Sequence, residues 1–174
     1  MVYGGFNFLE ITETDRGADD GDDALFGKEV YEHFESARSD IKDAGNCIAA
    51  DLNTAAVFHL MRVTEIGLHA LAYELGATTV GKKNTPIEFR MWGEIIGHIQ
   101  SKMDSLTQGL PESEKREKSQ FYHGLLIECE AIKELLRNPV SHGGNRYNEG
   151  ETMNVFIHVK GFMTRLAAKI QERP

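Results

Sequence analysis

Apolar residues recur every three or four positions through most of the chain beyond residue 24, which is the spacing of one face of an α-helix. The first such stripe consists of Phe26, Val30, Phe34, Ala37, Ile41, Ala44 and Ile48. Its steps of four, four, three, four, three and four residues predict a first helix from about residue 24 to 51.

The next segment, NTAAVFHLMRVTEIGLHALAYEL, is apolar around most of its helical circumference, which favours a central position in the fold. Asn53 or Thr54 can cap its start, and Gly76 can end it. The following segment, ATTVGKKNTPIEFR, has turn residues and is predicted to be a connector.

Three further stripes predict three more helices. The third helix is MWGEIIGHIQSKMDSL, the fourth is LPESEKREKSQFYHGLLIECEAIKELLR, and the fifth spans about 151–172. Their apolar positions are Trp92, Ile95, Ile96, Ile99, Met103 and Leu106, then Tyr122, Leu125, Cys129, Ile132 and Leu136, then Met153, Phe156, Val159, Met163, Leu166 and Ile170. The sequence therefore predicts an all-α fold, an up-and-down bundle of about five helices in one domain spanning 24–174.

Residues 1–23 form a distinct acidic segment. They contain FNFLEIT, which alternates enough for a short strand, and RGADDGDD, which has no core-forming residue and is predicted to be a flexible tail. The segment holds seven acidic residues and one basic residue, so the net charge of −8 falls to about −2 for the remainder. This balance disfavours extensive tracking of a nucleic-acid backbone but leaves room for a few local phosphate contacts.

The remaining composition predicts a soluble, cytoplasmic protein. No apolar run approaches the roughly 18 residues needed to span a bilayer, and the start lacks the layout of a signal peptide. Cys47 and Cys129 both lie in helical patterns, as expected for reduced thiols in the cytosol. We expect neither a membrane partner nor a cofactor.

The stretch LLRNPVSHGG, residues 135–144, interrupts the helical pattern after the fourth helix. A proline disfavours helical conformation at the preceding residue, while asparagine and proline suit the start of a helix. We therefore predict that the fourth helix ends at Asn138-Pro139 and that a single new turn follows. In one continuous helix Arg137 and His142 would lie about 140° apart, and a break at the proline would let them converge.

Arg137 and His142 together have the chemistry needed to act on a phosphodiester. The guanidinium is always charged and offers a fork of donors to phosphate oxygens, and it would stabilise charge in the transition state. The imidazole can take or give a proton at a ribose 2′-hydroxyl. The competing interpretation is structural, because arginine, asparagine and histidine also commonly cap helix ends.

RNPVSHGG resembles the Arg-x4–6-His signature of the HEPN superfamily, with Arg137, Asn138 and His142 on its arginine, polar and histidine positions. AAVFHLMRVTEIGLHALA, Trp92-Gly93 and the helix after RYNEGE are also similar to a bacterial group from abortive-infection and toxin–antitoxin contexts. The resemblance covers about 24–172. It implies a helical bundle, frequent homodimers with composite sites, an antitoxin protein as partner, and metal-independent endoribonuclease activity that leaves a 2′,3′-cyclic phosphate.

A narrow polar stripe crosses the second predicted helix. His59, Arg62, Glu65 and His69 fall within about 120° of arc. In the functional interpretation the stripe faces a groove near Arg137 and His142; in the structural one it forms an ion pair, such as Arg62 with Glu65, that fixes helix packing. Glu65/His69 and Glu94/His98 are four residues apart, whereas di-iron bundles use Glu-x-x-His, so no metal site is predicted.

The leading hypothesis is an RNA-cleaving HEPN-type ribonuclease. Arg137 and His142 are its predicted catalytic residues, and Asn138, Ser141, Arg62 and Glu65 are predicted to support them. The alternative is a non-catalytic HEPN-like module that binds a nucleotide or a protein.

Overall fold

A computed structural model of the protein describes residues 25–81, 85–106, 111–141 and 146–173, with the backbone alone at 80, 106 and 137–141. The helices are α1 (Lys28–His33), α2 (Arg38–Ala49), α3 (Asn53–Glu74), α4 (Trp92–Leu106), α5 (Glu112–Ser141) and α6 (Glu149–Ala167). Short 3-10 turns occupy Glu35–Ala37 and Ile87–Phe89. The two-residue strands β1 (Thr79–Val80) and β2 (Thr85–Pro86) pair antiparallel within the predicted connector. The predicted all-α fold is confirmed, whereas the segment 1–23 with FNFLEIT lies outside the described residues.

The first predicted helix is wrong in one respect, because it is two helices. Phe34 leaves the helical conformation, with φ −129° and ψ 69°, and its ring is fully buried. The break lets α1 pack against α6 while α2 packs against α3. Because the apolar steps of three and four continue across Phe34, the periodicity carries no sign of the break.

The central position predicted for the second helix is confirmed. Helix α3 packs against α2, α4, α5 and α6. Gly67 lies at its closest approach to α6, where a Cβ atom would come within 2.6 Å of Phe162 Cε1 and 2.7 Å of Met163 Sδ. The missing side chain therefore sets how closely the two helices pack.

The end of α3 matches the prediction and its start does not. Gly76 has φ 68°; its N–H donates to Tyr73 O at 3.1 Å, and the Ala77 N–H donates to Ala72 O at 2.8 Å. This is the Schellman closure that favours glycine. At the other end Leu52 is the N-cap without a side-chain cap, and Asn53 is already helical, with its Nδ2 donating to Asp51 Oδ1 at 2.6 Å.

The predicted apolar stripes form the core. Most of their members are buried, and the members that are partly buried lie at its margin: Ile48, Trp92, Tyr122, Leu136 and Met153. Within the described ranges, no helix is both long enough and apolar enough to cross a bilayer.

Candidate functional site

The first five residues of the RNPVSHGG stretch, 137–141, form the C-terminal end of α5, the longest helix described. The predicted end of this helix at Asn138-Pro139 is wrong, since α5 continues through Pro139 to Ser141. Proline has no N–H, so the carbonyl of Leu135 four residues earlier loses its usual donor. Helix α5 has 30 residues and packs against α4 and α6, and this packing outweighs the hydrogen bond lost in its last turn.

The central pair of the hypothesis is only partly within the described residues. His142 lies outside them, and Arg137, Asn138 and Ser141 are described as backbone in the last turns of α5. Arg137 and Ser141 are four residues apart and so occupy neighbouring positions on consecutive turns. The convergence of Arg137 with His142 stays a prediction.

Tyr147, which lies between the motif and the start of α6, anchors the chain at this point. Its side chain is only 8% exposed, and its hydroxyl donates to the carbonyl of Leu136 at 3.1 Å. Its N–H donates to Thr54 Oγ1 at 3.3 Å. Burial raises the pKa of the Tyr147 phenol, and the charge of Glu151 raises it further, so the hydroxyl remains a donor at neutral pH. Tyr147 thus ties the chain that follows the motif to α5 through its side chain and to the start of α3 through its backbone.

Helix α6 begins directly after Tyr147 with a capping box. The side chain of Asn148 accepts from Glu151 N–H at 3.0 Å, and the Glu151 carboxylate accepts from Asn148 N–H at 2.9 Å. The Asn-x-x-Glu spacing is readable in the sequence, and it would have placed the start of this helix at Glu149 rather than about 151. The two hydrogen bonds of the capping box therefore fix the first turn of α6 directly after Tyr147.

The polar stripe on α3 pairs with an acid that sequence reasoning missed. Asp40 of α2, with a side chain 8% exposed, accepts from Arg62 Nε at 3.0 Å and 2.9 Å through its two oxygens. His59 Nδ1 lies 2.8 Å from Asp40 Oδ1. The position of Asp40 in the sequence could have indicated its burial. It falls three residues after Ala37 and four before Ala44, on the edge of the buried stripe of α2. The stripe therefore fixes α3 against α2, which favours the structural interpretation for Arg62 and His59.

Opposing effects act on the Asp40 carboxyl. Burial by itself raises its pKa, but the hydrogen bonds and charges of His59 and Arg62 outweigh burial, and the pKa is lowered from 3.8. The same contact raises the pKa of Arg62, to which the nearby charge of Glu65 adds a smaller share. Arg62 is thus close enough to Glu65 for attraction, while its hydrogen bonds go to Asp40 rather than to the predicted partner Glu65.

His69, the last member of the stripe, belongs to a different part of the molecule. It lines a cleft of about 550 Å³ together with Ile66, Ala70, Tyr73, Thr78, Ser36, Glu172 and Arg173. Nε2 of His69 is buried without a hydrogen-bond partner among the described residues. A buried polar atom without a hydrogen bond lowers the stability of the folded state by on the order of 1–3 kcal/mol. A ligand that forms a hydrogen bond with His69 Nε2 would remove this penalty.

The two cysteines and His123 are the other candidate reactive residues among those that the structure describes. Burial raises the pKa of the Cys129 thiol, which keeps it protonated, and both cysteines are unpaired. His123 is exposed and its Nδ1 lies 3.2 Å from Ser119 O in the preceding turn. Across the described ranges, no three histidine, cysteine, aspartate or glutamate side chains are grouped in a way that could hold a metal ion.

Comparisons of the chain with protein-family models, with curated proteins and with solved structures gave no match.

Proposed function

We propose that this protein is a metal-independent endoribonuclease of HEPN type, a toxin or phage-defence component of the cytoplasm. The observation that carries the proposal is RNPVSHGG at the junction of the last two long helices. The all-α fold is the kind that the resemblance implies. The anchoring of Tyr147 to Leu136 adds support, because it limits where the chain between them can go.

The chemistry follows from the two residue types. His142 takes the proton of a ribose 2′-hydroxyl, and the 2′-oxygen attacks the adjacent phosphorus. The bond from phosphorus to the 5′-oxygen of the next nucleotide breaks, and that oxygen takes a proton from water. Arg137 holds the phosphate and stabilises the charge that accumulates on it. The products are a 2′,3′-cyclic phosphate and a 5′-hydroxyl. Asn138 and Ser141 position the phosphate.

The surrounding partners are part of the same proposal. The substrate is RNA, two copies of the chain form a homodimer whose two motifs build one composite site, and an antitoxin protein restrains the activity. Glu65 supports the site indirectly, through its charge beside Arg62 on α3. Arg62 contributes through packing, in keeping with its hydrogen bonds to Asp40.

The test is cleavage of single-stranded RNA in EDTA by wild type, His142→Ala and Arg137→Ala, with His123→Ala as the matched surface control. We expect wild type and His123→Ala to cleave equally. Loss of a general base should slow cleavage by about a hundredfold or more. Equal cleavage by wild type and His142→Ala, each shown to be folded, would remove His142 from the mechanism.

The second candidate is a non-catalytic helical module that binds a nucleotide or a protein. It is favoured by the use of the polar stripe for helix packing and by the acidic balance of the chain. Expression in growing cells separates the two. Toxicity of wild type that is absent from a folded Arg137→Ala variant supports the enzyme, and RNA binding without cleavage by wild type supports the module.

A further inference from the structure

We propose that the cleft lined by His69 and Arg173 binds a small organic molecule that carries a carboxylate or phosphate group. The cleft is separate from the RNPVSHGG site. Thr54, which contacts Tyr147 beside that site, lies 15 residues before His69 on α3, a distance of roughly 22 Å along the helix. The inference therefore does not depend on the ribonuclease proposal.

Three parts of the chain form the walls of the cleft. They are the 3-10 turn at Ser36, the C-terminal half of α3 with Thr78 beyond it, and the segment after α6. A volume of about 550 Å³ is within the range of roughly 300–1,000 Å³ found for small-molecule sites. The size suits a molecule such as a mononucleotide or a short organic acid.

The segment after α6 is joined to α1 and to the 3-10 turn at Ser36 by hydrogen bonds of Glu172. Glu172 Oε1 accepts from the Ser36 N–H at 2.8 Å, and Glu172 Oε2 accepts from the Ser36 hydroxyl at 2.5 Å. The Glu172 N–H in turn donates to His33 O at 3.0 Å. Both carboxylate oxygens are thus occupied within the protein, and Arg173, the next residue, is carried to the rim of the cleft.

Two groups of the cleft are left open to a ligand. The Nε2 atom of His69 is buried and has no hydrogen-bond partner, and the exposed Arg173 has no ion-pair partner, both within the described part of the chain. An anionic group can accept from both, because guanidinium and imidazole N–H groups each bind carboxylate or phosphate oxygens.

The remaining lining fits the body of such a molecule. Ile66, Ala70 and the ring of Tyr73 provide apolar surface, while the Tyr73 hydroxyl already donates to Glu88. Apolar walls beside convergent polar groups are a feature of small-molecule sites. A long polynucleotide would instead need an extended basic track, and among the described residues Arg173 is the one arginine or lysine that lines this cleft.

The test is an NMR titration of ¹⁵N-labelled full-length protein with inorganic phosphate, adenosine monophosphate and succinate as separate probes. The first two report a phosphate group and the third reports a carboxylate. We expect at least one probe to shift the His69 ring and Arg173 Nε signals saturably, with one shared dissociation constant. Absence of a saturable shift with all three probes up to millimolar concentration would overturn the inference.

Matched variants make the result specific. Arg173→Ala should weaken binding by about tenfold or more, since it removes a charge-assisted hydrogen bond, whereas Arg116→Ala on the exposed face of α5 should bind like wild type. His69→Gln is compared in the same way with His123→Gln. Arg173 lies beyond the last helix and is exposed, so its variant keeps the fold. Equal affinity of Arg173→Ala and Arg116→Ala would overturn the assignment even if His69→Gln fails to fold.

Discussion

The Nε atom of Arg62 lies 3.0 Å and 2.9 Å from the two carboxylate oxygens of Asp40, and this contact joins α3 to α2. The two partners differ in environment, because the Asp40 side chain is 8% exposed and the Arg62 side chain 55%. Water can therefore solvate Arg62 if Asp40 is removed. If Arg62 is removed, the buried carboxylate keeps His59 as its remaining partner.

Replacing Asp40 with alanine should destabilise the protein. The variant loses hydrogen bonds to Arg62 and His59, and we expect the free energy of unfolding to fall by about 1–3 kcal/mol. Urea unfolding followed by circular dichroism measures the change. Glu32→Ala is the control, because Glu32 pairs with Lys28 at 3.8 Å on an exposed face and such pairs contribute less than about 1 kcal/mol. Equal effects of the two substitutions would contradict the structural importance of Asp40.

The stabilising effect of Asp40 should depend on pH in acid. The folded protein holds the carboxyl at a pKa below 3.8, so the folded state binds its proton less readily than the unfolded chain. The contribution is therefore complete above about pH 3.8 and is lost as the pH falls through the folded pKa. Urea unfolding at a series of pH values should show the difference between wild type and Asp40→Asn narrowing below that point. A difference that is constant down to strong acid would contradict the lowered pKa.

Alanine at two helical glycines should have effects of opposite sign. A Cβ atom at Gly67 would overlap with the side chains of Phe162 and Met163. Such overpacking lowers the free energy of unfolding by about 1–3 kcal/mol. Beyond the neighbouring backbone of α4, no atom of the described residues lies within 4 Å of a Cβ position at Gly97, so Gly97→Ala should gain about 0.5–1 kcal/mol of stability from helix propensity. Thermal unfolding compares the two variants with wild type. A Gly67→Ala variant as stable as Gly97→Ala would show that α6 can move away at little cost.

Removing the hydroxyl of Tyr147 should affect activity more than stability. Tyr147→Phe loses the bond to Leu136 O, worth about 0.5–1.5 kcal/mol, and loosens the chain that follows His142. If the proposed ribonuclease mechanism holds, RNA cleavage should slow by about tenfold or more, because small displacements of a catalytic group are costly.

Tyr122→Phe serves as the control for Tyr147→Phe. Tyr122 is a partly buried tyrosine of α5 for which no hydroxyl hydrogen bond is found within the described residues. Cleavage rates are measured under saturating RNA, with circular dichroism to verify the fold. An unchanged rate in Tyr147→Phe would show that this anchor does not position the site.

Much of the fold could be predicted because helical periodicity is a local property of the chain. Apolar residues spaced three and four positions apart predict both the helices and most of the residues that are buried in them. The end of α3 at Gly76 could be predicted for a similar reason. The left-handed conformation that ends a helix is favoured by glycine, whatever the rest of the fold. The predicted break at Pro139 is wrong because the local preference of proline is outweighed by the packing of α5 against α4 and α6.

The sequence by itself determined the helical spans, their inner faces and the residue types at RNPVSHGG, because each depends on neighbours along the chain. The tertiary structure alone decided that the first stripe breaks at Phe34 and that Arg62 pairs with Asp40 rather than Glu65. It also decided that His69 lines a cleft together with Glu172 and Arg173. These outcomes depend on which helices meet in space. Packing against α6 and α3 selects them, and no spacing along a single helix records that choice.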